Sequence, residues 1–409
     1  MNNQIQNLKG FRDFLPQEAR KRNWLKNKLI EYIESWGYQP LETPTLEPLE
    51  LFAGEIGEDE KLFFSFTDQG GRKVALRYDQ TVPTCRVIGQ YADKLVFPFR
   101  RYQIQSAFRA EKPQKGRYRE FTQFDIDIFG IASPLADAEI IASNIDIYQK
   151  LGFKNVVILV NNRDLMKGLP YEALVAIDKL KKIGEEGVIA DMVKKGIDNK
   201  KAVEYLTFVK NLKPDATINT IFSYLKSYGF SEGSYQFAPT LARSFSYSQG
   251  PIWEIVIPEY SIGSVGGGER YDGMMKRITG KDIPATGIAF GFDRTLEALE
   301  ACQLIPLTIT KTNILVTVFS SDLFDQQVNT SRKLRESGLV VELYPDTTVK
   351  LEKQLKYADR NGFTYTVIQG PDELSKGVVQ LKNMKNRTSE TLTIEEVIEI
   401  LKQVQDDKP

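Results

Sequence analysis

The sequence predicts an α+β domain on an antiparallel sheet, interrupted by a helical insertion and followed by a separate α/β domain. Three observations lead there. From about 72 to 130, RKVALRYD, RRYQIQSAFRAE and REFTQFDIDIFG are strand-like runs, the last two joined by the polar loop KPQKGRY, as antiparallel neighbours are. Between about 165 and 235 the text turns helical and charged, and strand-like, glycine-rich text resumes at 236–293. Two parts of one sheet therefore flank an insertion. Beyond a linker at 304–311, NILVTVF, VVELYP, TYTVIQG and VVQLKNM alternate with helical stretches near 323–337, 348–361 and 393–404, the pattern of an independent α/β domain over 312–409. The first domain then covers 1–303.

The elements follow in order. Over 17–36, Leu25, Leu29, Ile33 and Trp36 recur at helical spacing and Gly37 ends the run, so a helix is expected. GYQPLETPTLEPLELF carries Pro40, Pro44 and Pro48 and should be extended. After the strands at 72–130 come a helix at 134–151 and the strand KNVVILVNN. YEALVAIDKLKKIG and GVIADMVKKG supply helices of the insertion, and RSFSYSQGPIWEIVIP and TGIAFGFDR return to strand before the helical TLEALEAC. SVGGGERYDG is not a dinucleotide-binding fingerprint, because no helix clearly opens after it and no acidic residue is suitably placed. Its glycines suit close backbone approach to a ligand or tight sheet packing.

Composition narrows the chemistry. A chain of 409 residues suits two or three domains. Lysine plus arginine equal aspartate plus glutamate, 54 each, so any nucleic-acid binding must use local basic patches. No apolar run spans a bilayer and the N-terminus is polar, which reads as a cytoplasmic protein without membrane segments. The chain has no histidine and two cysteines, Cys85 and Cys302. That excludes a Ser-His-Asp triad, a Cys-His pair and an imidazole proton shuttle, and leaves a zinc site only two cysteines and carboxylates to draw on. Chemistry must run on carboxylates, arginines, tyrosines or a bound metal.

Three groups of residues could carry it. In REFTQFDIDIFG, Phe124, Ile126 and Ile128 share one face, and Phe121, Gln123, Asp125 and Asp127 the other. A half-solvated strand gives the same alternation, but Arg109 with Glu111 and Asp79 with Thr81 repeat the two-residue spacing. Three strands offering arginine and carboxylate, not lysine, favour a site. The loop EKPQKGRYRE carries Lys112, Lys115, Arg117 and Arg119 about Gly116, either a solvated hairpin tip or a set of forks for phosphate. Arg294 ends TGIAFGFDR at a strand-to-helix junction, a good place for a phosphate ligand.

Taken together, these segments resemble the histidyl-tRNA synthetase family, a class II aminoacyl-tRNA synthetase type, over essentially the full length. KGFRDFLP at 9–16 is similar to the family's N-terminal signature, and GYQPLETPTLEP to class II motif 1. FRAEKPQKGRYREFTQFDIDIFG resembles motif 2, and TGIAFGFDR motif 3. LRYDQTVP, LARSFSYSQGPIWE and SVGGGERYDG resemble the histidine-pocket segments. The resemblance implies a catalytic domain with a helical insertion and a C-terminal anticodon-binding domain. It implies ATP and Mg²⁺, histidine and its tRNA as partners, and a homodimer through motif 1 around Pro44. By position, Arg109 would hold the α-phosphate and the substrate carboxylate, and Arg117 and Arg294 the β/γ-phosphates. Phe121 and Arg294 would sandwich adenine, with Glu111 at its amino group. Asp79, Thr81 and Gln123 would take the α-ammonium and Asp127 the imidazole N–H. Arg243 would stabilise charge at the α-phosphate, and Tyr247 and Tyr271 would wall the ring. The resemblance implies no metal ligand on the protein.

Two departures stand in this pattern. The family's arginine segment usually reads RG followed by two tyrosines; here Ser244 replaces the glycine and Ser248 the second tyrosine, which contacts imidazole. Glu269 stands where a glycine is usual. The alternatives are a catalytically silent regulatory subunit of histidine biosynthesis, a non-enzymatic tRNA-binding sensor and a synthetase for another amino acid. Such silent relatives usually lack the C-terminal domain and have eroded ATP and histidine residues, whereas Arg109, Arg117, Arg243, Arg294, Asp79 and Asp127 are all present. The carboxylate at 127 and the KGFRDFLP opening disfavour another amino acid.

Overall fold

Leu25, Leu29 and Ile33 form the buried stripe of α1 (Pro16–Glu34), as their spacing predicts. Short strands β1 (Gln39–Pro40), β2 (Leu46–Pro48), β3 (Ser65–Thr67) and β4 (Lys73–Leu76) precede α2 (Thr81–Gln90), β5 (Phe99–Phe108), β6 (Glu120–Phe129) and α3 (Pro134–Lys150). The Ser133 hydroxyl accepts from the Leu135 amide and Pro134 opens the first turn of α3, so cap and preset φ start this helix together. Next come β7 (Val157–Asn162), α4 (Tyr171–Ile177), α5 (Leu180–Lys194), α6 (Asn199–Lys210), α7 (Ala216–Tyr228) and β8 (Tyr235–Phe237). Then follow β9 (Gln249–Val256), β10 (Gly266–Arg270), α8 (Asp272–Thr279), β11 (Ala285–Gly291) and α9 (Phe292–Ala301). The computed structural model describes residues 5–52, 62–113, 117–243, 249–260, 263–306 and 313–406. It divides the chain into two units, Met1–Ile305 and Pro306–Pro409.

The first unit is organised by an eight-stranded sheet in the order β1-β5-β6-β11-β10-β9-β7-β8. Pairing from β5 through β9 to β7 is antiparallel, and only the edge strands β1 and β8 join in parallel. One face carries the main core, in which Phe124, Ile126 and Ile128 of β6 pack with α1, α3, Trp253 and Phe290. The opposite face of the same strands holds the cleft described below. RKVALRYD contributes β4 to a separate three-stranded sheet, β2-β4-β3, and not to the main sheet as expected. The buried Arg77 joins the two, donating from Nε to the Ser106 carbonyl and from Nη1 to the Thr43 carbonyl and Gln105 Oε1.

The insertion is only partly separate. Helices α4, α5 and α6 close a second core over Leu159 and Ile252 of the sheet. Ile218, Ile221 and Leu225 of α7 instead join the main core, so α7 packs on α3 as part of the parent domain. Among the described residues, no helix is long and apolar enough to cross a membrane.

The second unit contains β12 (Asn313–Val316), α10 (Phe324–Glu336), β13 (Val340–Leu343), α11 (Leu351–Arg360), β14 (Tyr365–Ile368), α12 (Pro371–Ser375), β15 (Val379–Asn383), β16 (Ser389–Leu392) and α13 (Ile394–Asp406). Its sheet runs β13-β12-β14-β15-β16. Strand β12 is parallel to β13 and β14, and the β14-β15-β16 edge is antiparallel.

Candidate active site

Directly opposed residues of antiparallel strands present their side chains on one face, so the register gives the floor of the site. One row runs Arg101 on β5, Asp127 on β6, Gly287 on β11 and Glu269 on β10. The next runs Asp125, Ala289, Gly267 and Glu254. Small residues in the middle of both rows leave a trough between the flanking side chains. A Cβ on Gly287 would overlap the Asp127 carboxylate, and one on Gly267 would overlap the Arg243 guanidinium. The glycines thus admit two charged side chains that lie flat on the sheet.

The trough opens into a cleft of about 870 Å³. Its lining includes Asp79, Thr81, Arg109, Glu111, Arg117, Phe121, Gln123, Asp127, Arg243, Tyr271 and Arg294, every residue to which the resemblance gives a ligand and that lies in the described residues; Asp125 and Arg119 are not in the lining. Tyr247, with Ser244, Ser248, Lys115 and Gly116, lies outside them. Two placements differ from expectation. Asp79 and Thr81 are not on a strand: Thr81 begins α2, and Asp79 Oδ1 accepts from the Val82 amide at 3.1 Å, so a helix start aims them. A helix does open after SVGGGERYDG, since α8 begins at Asp272, although GGGER itself is a strand and not a phosphate-binding turn.

Charge is graded along the cleft. Arg109 lies beyond the end of β5 with its guanidinium over Tyr78 at 4.3 Å and Phe121 at 5.1 Å, and its Nε donates to the Tyr78 carbonyl at 3.3 Å. Arg117 pairs with Glu111 at 3.4 Å, and Arg294 donates to the Ser264 carbonyl at 2.7 Å. Arg243 lies over Gly267 and reaches Glu269 at 3.4 Å. Its backbone has the left-handed φ of 45° and is held by Arg163, whose Nη1 donates to the Ala242 and Arg243 carbonyls at 2.6 and 2.8 Å.

The other end is acidic and buried. Asp127 is 2 % exposed. Its Oδ2 lies 2.5 Å from Arg101 Nη2, and its Oδ1 accepts from the Tyr271 hydroxyl at 2.5 Å. Burial raises its pKa, while Arg101 and the Tyr271 hydrogen bond oppose the rise. Burial drives the Asp125 carboxyl well above its usual range, and Arg101 offsets this only partly. The face that alternation left as half-solvated is therefore a buried polar wall. Sequence reasoning missed Arg101, whose place opposite Asp127 depends on the β5–β6 register, and Tyr78, a shelf for Arg109. It also missed Asp293, whose carboxylate takes Arg12, Arg22 and the Thr122 amide. The alternation of RRYQIQ was the available signal for Arg101.

Such an arrangement can hold a triphosphate at its arginine end and an amino group plus a ring N–H at its carboxylate end. Gly287→Ala should raise the KM for the ligand read by Asp127 by roughly 10- to 100-fold through displacement of that carboxylate. Steady-state kinetics with the KM for the nucleotide as internal control checks this, and an unchanged KM would remove Asp127 from the contact.

An arginine-lined cleft on one face of an antiparallel sheet, with a separate α/β unit beyond it in sequence, defines a class II aminoacyl-tRNA synthetase. The solved structure of the histidyl-tRNA synthetase from Nostoc sp. PCC 7120 matches with a TM-score of 0.82 at 25% identity, over 98% of this chain and 99% of that one. Histidine–tRNA ligase of Clostridium tetani is 34% identical over 97% of each chain, and that of Wolinella succinogenes 36% identical over 96% of this chain and 97% of its own. The family model described as histidyl-tRNA synthetase matches residues 10–185, and that of an anticodon binding domain residues 302–404. The chain belongs to the histidine–tRNA ligase family.

Proposed function

We propose that the cleft activates histidine with ATP and then passes the histidyl group to the 3′ end of its tRNA. One observation carries this reading: arginines suited to phosphates and acceptors suited to an ammonium and a ring N–H line a single cleft. A histidine carboxylate oxygen attacks the α-phosphorus, the bond to the β-phosphate oxygen breaks, and pyrophosphate leaves. A ribose hydroxyl of the tRNA then attacks the acyl carbon, its proton is lost to solvent, and AMP departs. The carboxylate is a nucleophile at neutral pH, so activation needs alignment and charge neutralisation and no general base. A protein without histidine can supply both.

Arg109, between Tyr78 and Phe121, orients the α-phosphate and the carboxylate, and Arg243 meets the charge that grows there. Arg117 and Arg294 take the β/γ-phosphates. Phe121 and Arg294 stack on adenine, with Glu111 at its amino group. Asp79, Thr81 and Gln123 bind the α-ammonium, Asp127 accepts a ring N–H, and Tyr247 and Tyr271 wall the ring. Mg²⁺ fits as a companion of the triphosphate, where it would neutralise phosphate charge. Among the described residues no group of three acidic or sulfur ligands offers a cage of its own, and a triphosphate supplies the oxygens that ion prefers.

ATP–pyrophosphate exchange with each standard amino acid tests the reading. Exchange with histidine alone is expected, and a cleft that supports none would belong to a silent regulatory subunit instead. Residues 312–409 read tRNA, 304–311 link them, and 1–303 carry catalysis with the insertion about 165–235. A chain ending at Thr310 should keep exchange while losing most tRNA charging, and loss of exchange in a folded, dimeric truncation would refute the division. The homodimer forms around Pro44, where Leu46 and Phe66 of the small sheet are exposed. The enzyme works in the cytoplasm, where its tRNA is used.

A further inference from the structure

We propose that Glu269 is a second imidazole ligand, which with Asp127 brackets the histidine ring over Gly287 and makes the pocket select the doubly protonated imidazolium. This rests on the reading that the cleft activates histidine. The geometry is that of one row of the sheet: Gly287 pairs with Asp127 on one side and Glu269 on the other. Both side chains rise on the cleft face and both line the cleft. With no Cβ between them, the Asp127 carboxylate leans over Gly287 towards β10. The two residues thus flank the Gly287 strand on the cleft face, and a ring standing over that strand can turn one N–H to each carboxylate.

The chemistry then follows from donor counting. A carboxylate only accepts, and each of its oxygens has two lone pairs. Tyr271 and Arg101 therefore leave Asp127 room for one ring N–H. Neutral imidazole has a single N–H and would turn a bare nitrogen towards Glu269, lone pair against lone pair. Imidazolium satisfies both carboxylates. In the ligand-free protein Glu269 is 6 % exposed and Arg243 lies 3.4 Å from it, longer than a good charge-assisted hydrogen bond. As Arg243 turns to the α-phosphate, the ring's positive charge takes its place beside Glu269. This accounts for a glutamate where the family usually has glycine, in a chain whose other usual ring contact is Ser248.

The charged and titratable groups around the ring are Asp127, Asp125, Asp79, Arg101 and Tyr271 on one side, and Glu269, Glu254, Arg243 and Arg163 on the other. Because the ring is held protonated, its pKa in the complex exceeds the free value of about 6.5. Affinity for histidine therefore rises as pH falls from about 8 towards 6.5, and levels off below.

The test uses the full chain. Calorimetry of histidine binding at about pH 8, in two buffers of different ionisation enthalpy, should show close to one proton taken up per histidine. Exchange kinetics should favour histidine over β-(1,2,4-triazol-3-yl)alanine, a ring of the same shape with one N–H at neutral pH, by at least about 10-fold. Glu269→Gln should raise the KM for histidine about 10-fold or more, lower the proton uptake and narrow that preference, with the KM for ATP nearly unchanged. No proton uptake by the unaltered enzyme, or equal use of the two amino acids, would overturn the proposal without any variant. So would a Glu269→Gln enzyme whose KM for ATP rises as much as that for histidine, because Glu269 would then only brace Arg243. If the unaltered chain supports no histidine-dependent exchange, the reading of the cleft fails first, and an active enzyme that fails these tests sinks the bracket alone.

Discussion

Replacing Arg109 by alanine should lower kcat for histidine-dependent ATP–pyrophosphate exchange by about 100- to 1,000-fold, the loss typical of a preorganised donor aimed at developing charge. Arg109 is held on three sides: its guanidinium lies over Tyr78 and Phe121, and its Nε is bonded to the Tyr78 carbonyl. If this fork meets the α-phosphate, as proposed, it needs no reorganisation when charge builds there and should act mainly on the transition state. Arg109→Lys keeps the charge and loses the planar fork and the stacking, and should fall between the two. The discriminating quantity is the split between kcat and KM. A higher KM for ATP at unchanged kcat would mean uniform ground-state binding, and Arg109 would be a nucleotide anchor and not a catalytic residue.

What was legible in the sequence was whatever a single period and a single burial pattern set. Strand β6 alternates from Gln123 to Ile128; Phe124, Ile126 and Ile128 join the core while Gln123 and Asp127 line the cleft. The β12, β13, β14 and β15 strands of the second unit were each bounded by turn residues and were found. The solvent-facing antiparallel edge strand β16 (SETL) lacks apolar alternation and was missed. Local text cannot tell which neighbour a short strand will pair with, so RKVALRYD reads as part of the main sheet although β4 pairs with β2 and β3. Sequence continuity places helix α7 with the insertion, because it hides which core the helix's apolar face joins. The polar face of β6 was ambiguous for a related reason. Whether Asp127 meets water or Arg101 is decided by register between β5 and β6, which neither strand states alone. Candidate residues at the ends of elements are legible by different signals: Arg109 and Asp79 by two-residue spacing to a second polar residue, Arg294 by its strand-to-helix junction. The groups that hold the site, Tyr78 under Arg109 and Arg163 behind the Arg243 backbone, carry no such mark.

Asp127→Ala should lower kcat/KM for histidine about 10- to 150-fold, the equivalent of roughly 1.5–3 kcal/mol for a hydrogen bond to a charged group. The expected effect is selective, because the residues proposed for adenine and phosphate lie at the other end of the cleft, and the KM for ATP should stay near its original value. A structural cost accompanies it. Arg101 is fully buried and pairs with Asp127, so deletion leaves its guanidinium only Gln103 and the nearby Asp125, and breaking a buried pair costs about 3–5 kcal/mol. Asp127→Asn separates the two effects. It keeps the side-chain shape and an oxygen for Tyr271 or Arg101, but gives up the charge and places amide hydrogens where acceptor lone pairs were. If Asp127 reads the imidazole, the asparagine enzyme should remain folded, bind ATP normally and still lose about 10-fold or more in kcat/KM for histidine. Thermal melting and the two KM values measured on both variants decide the matter. Loss of stability with histidine kinetics intact, or an equal rise in both KM values, would make Asp127 a structural counter-ion for Arg101 and move the reading of the ring elsewhere in the pocket.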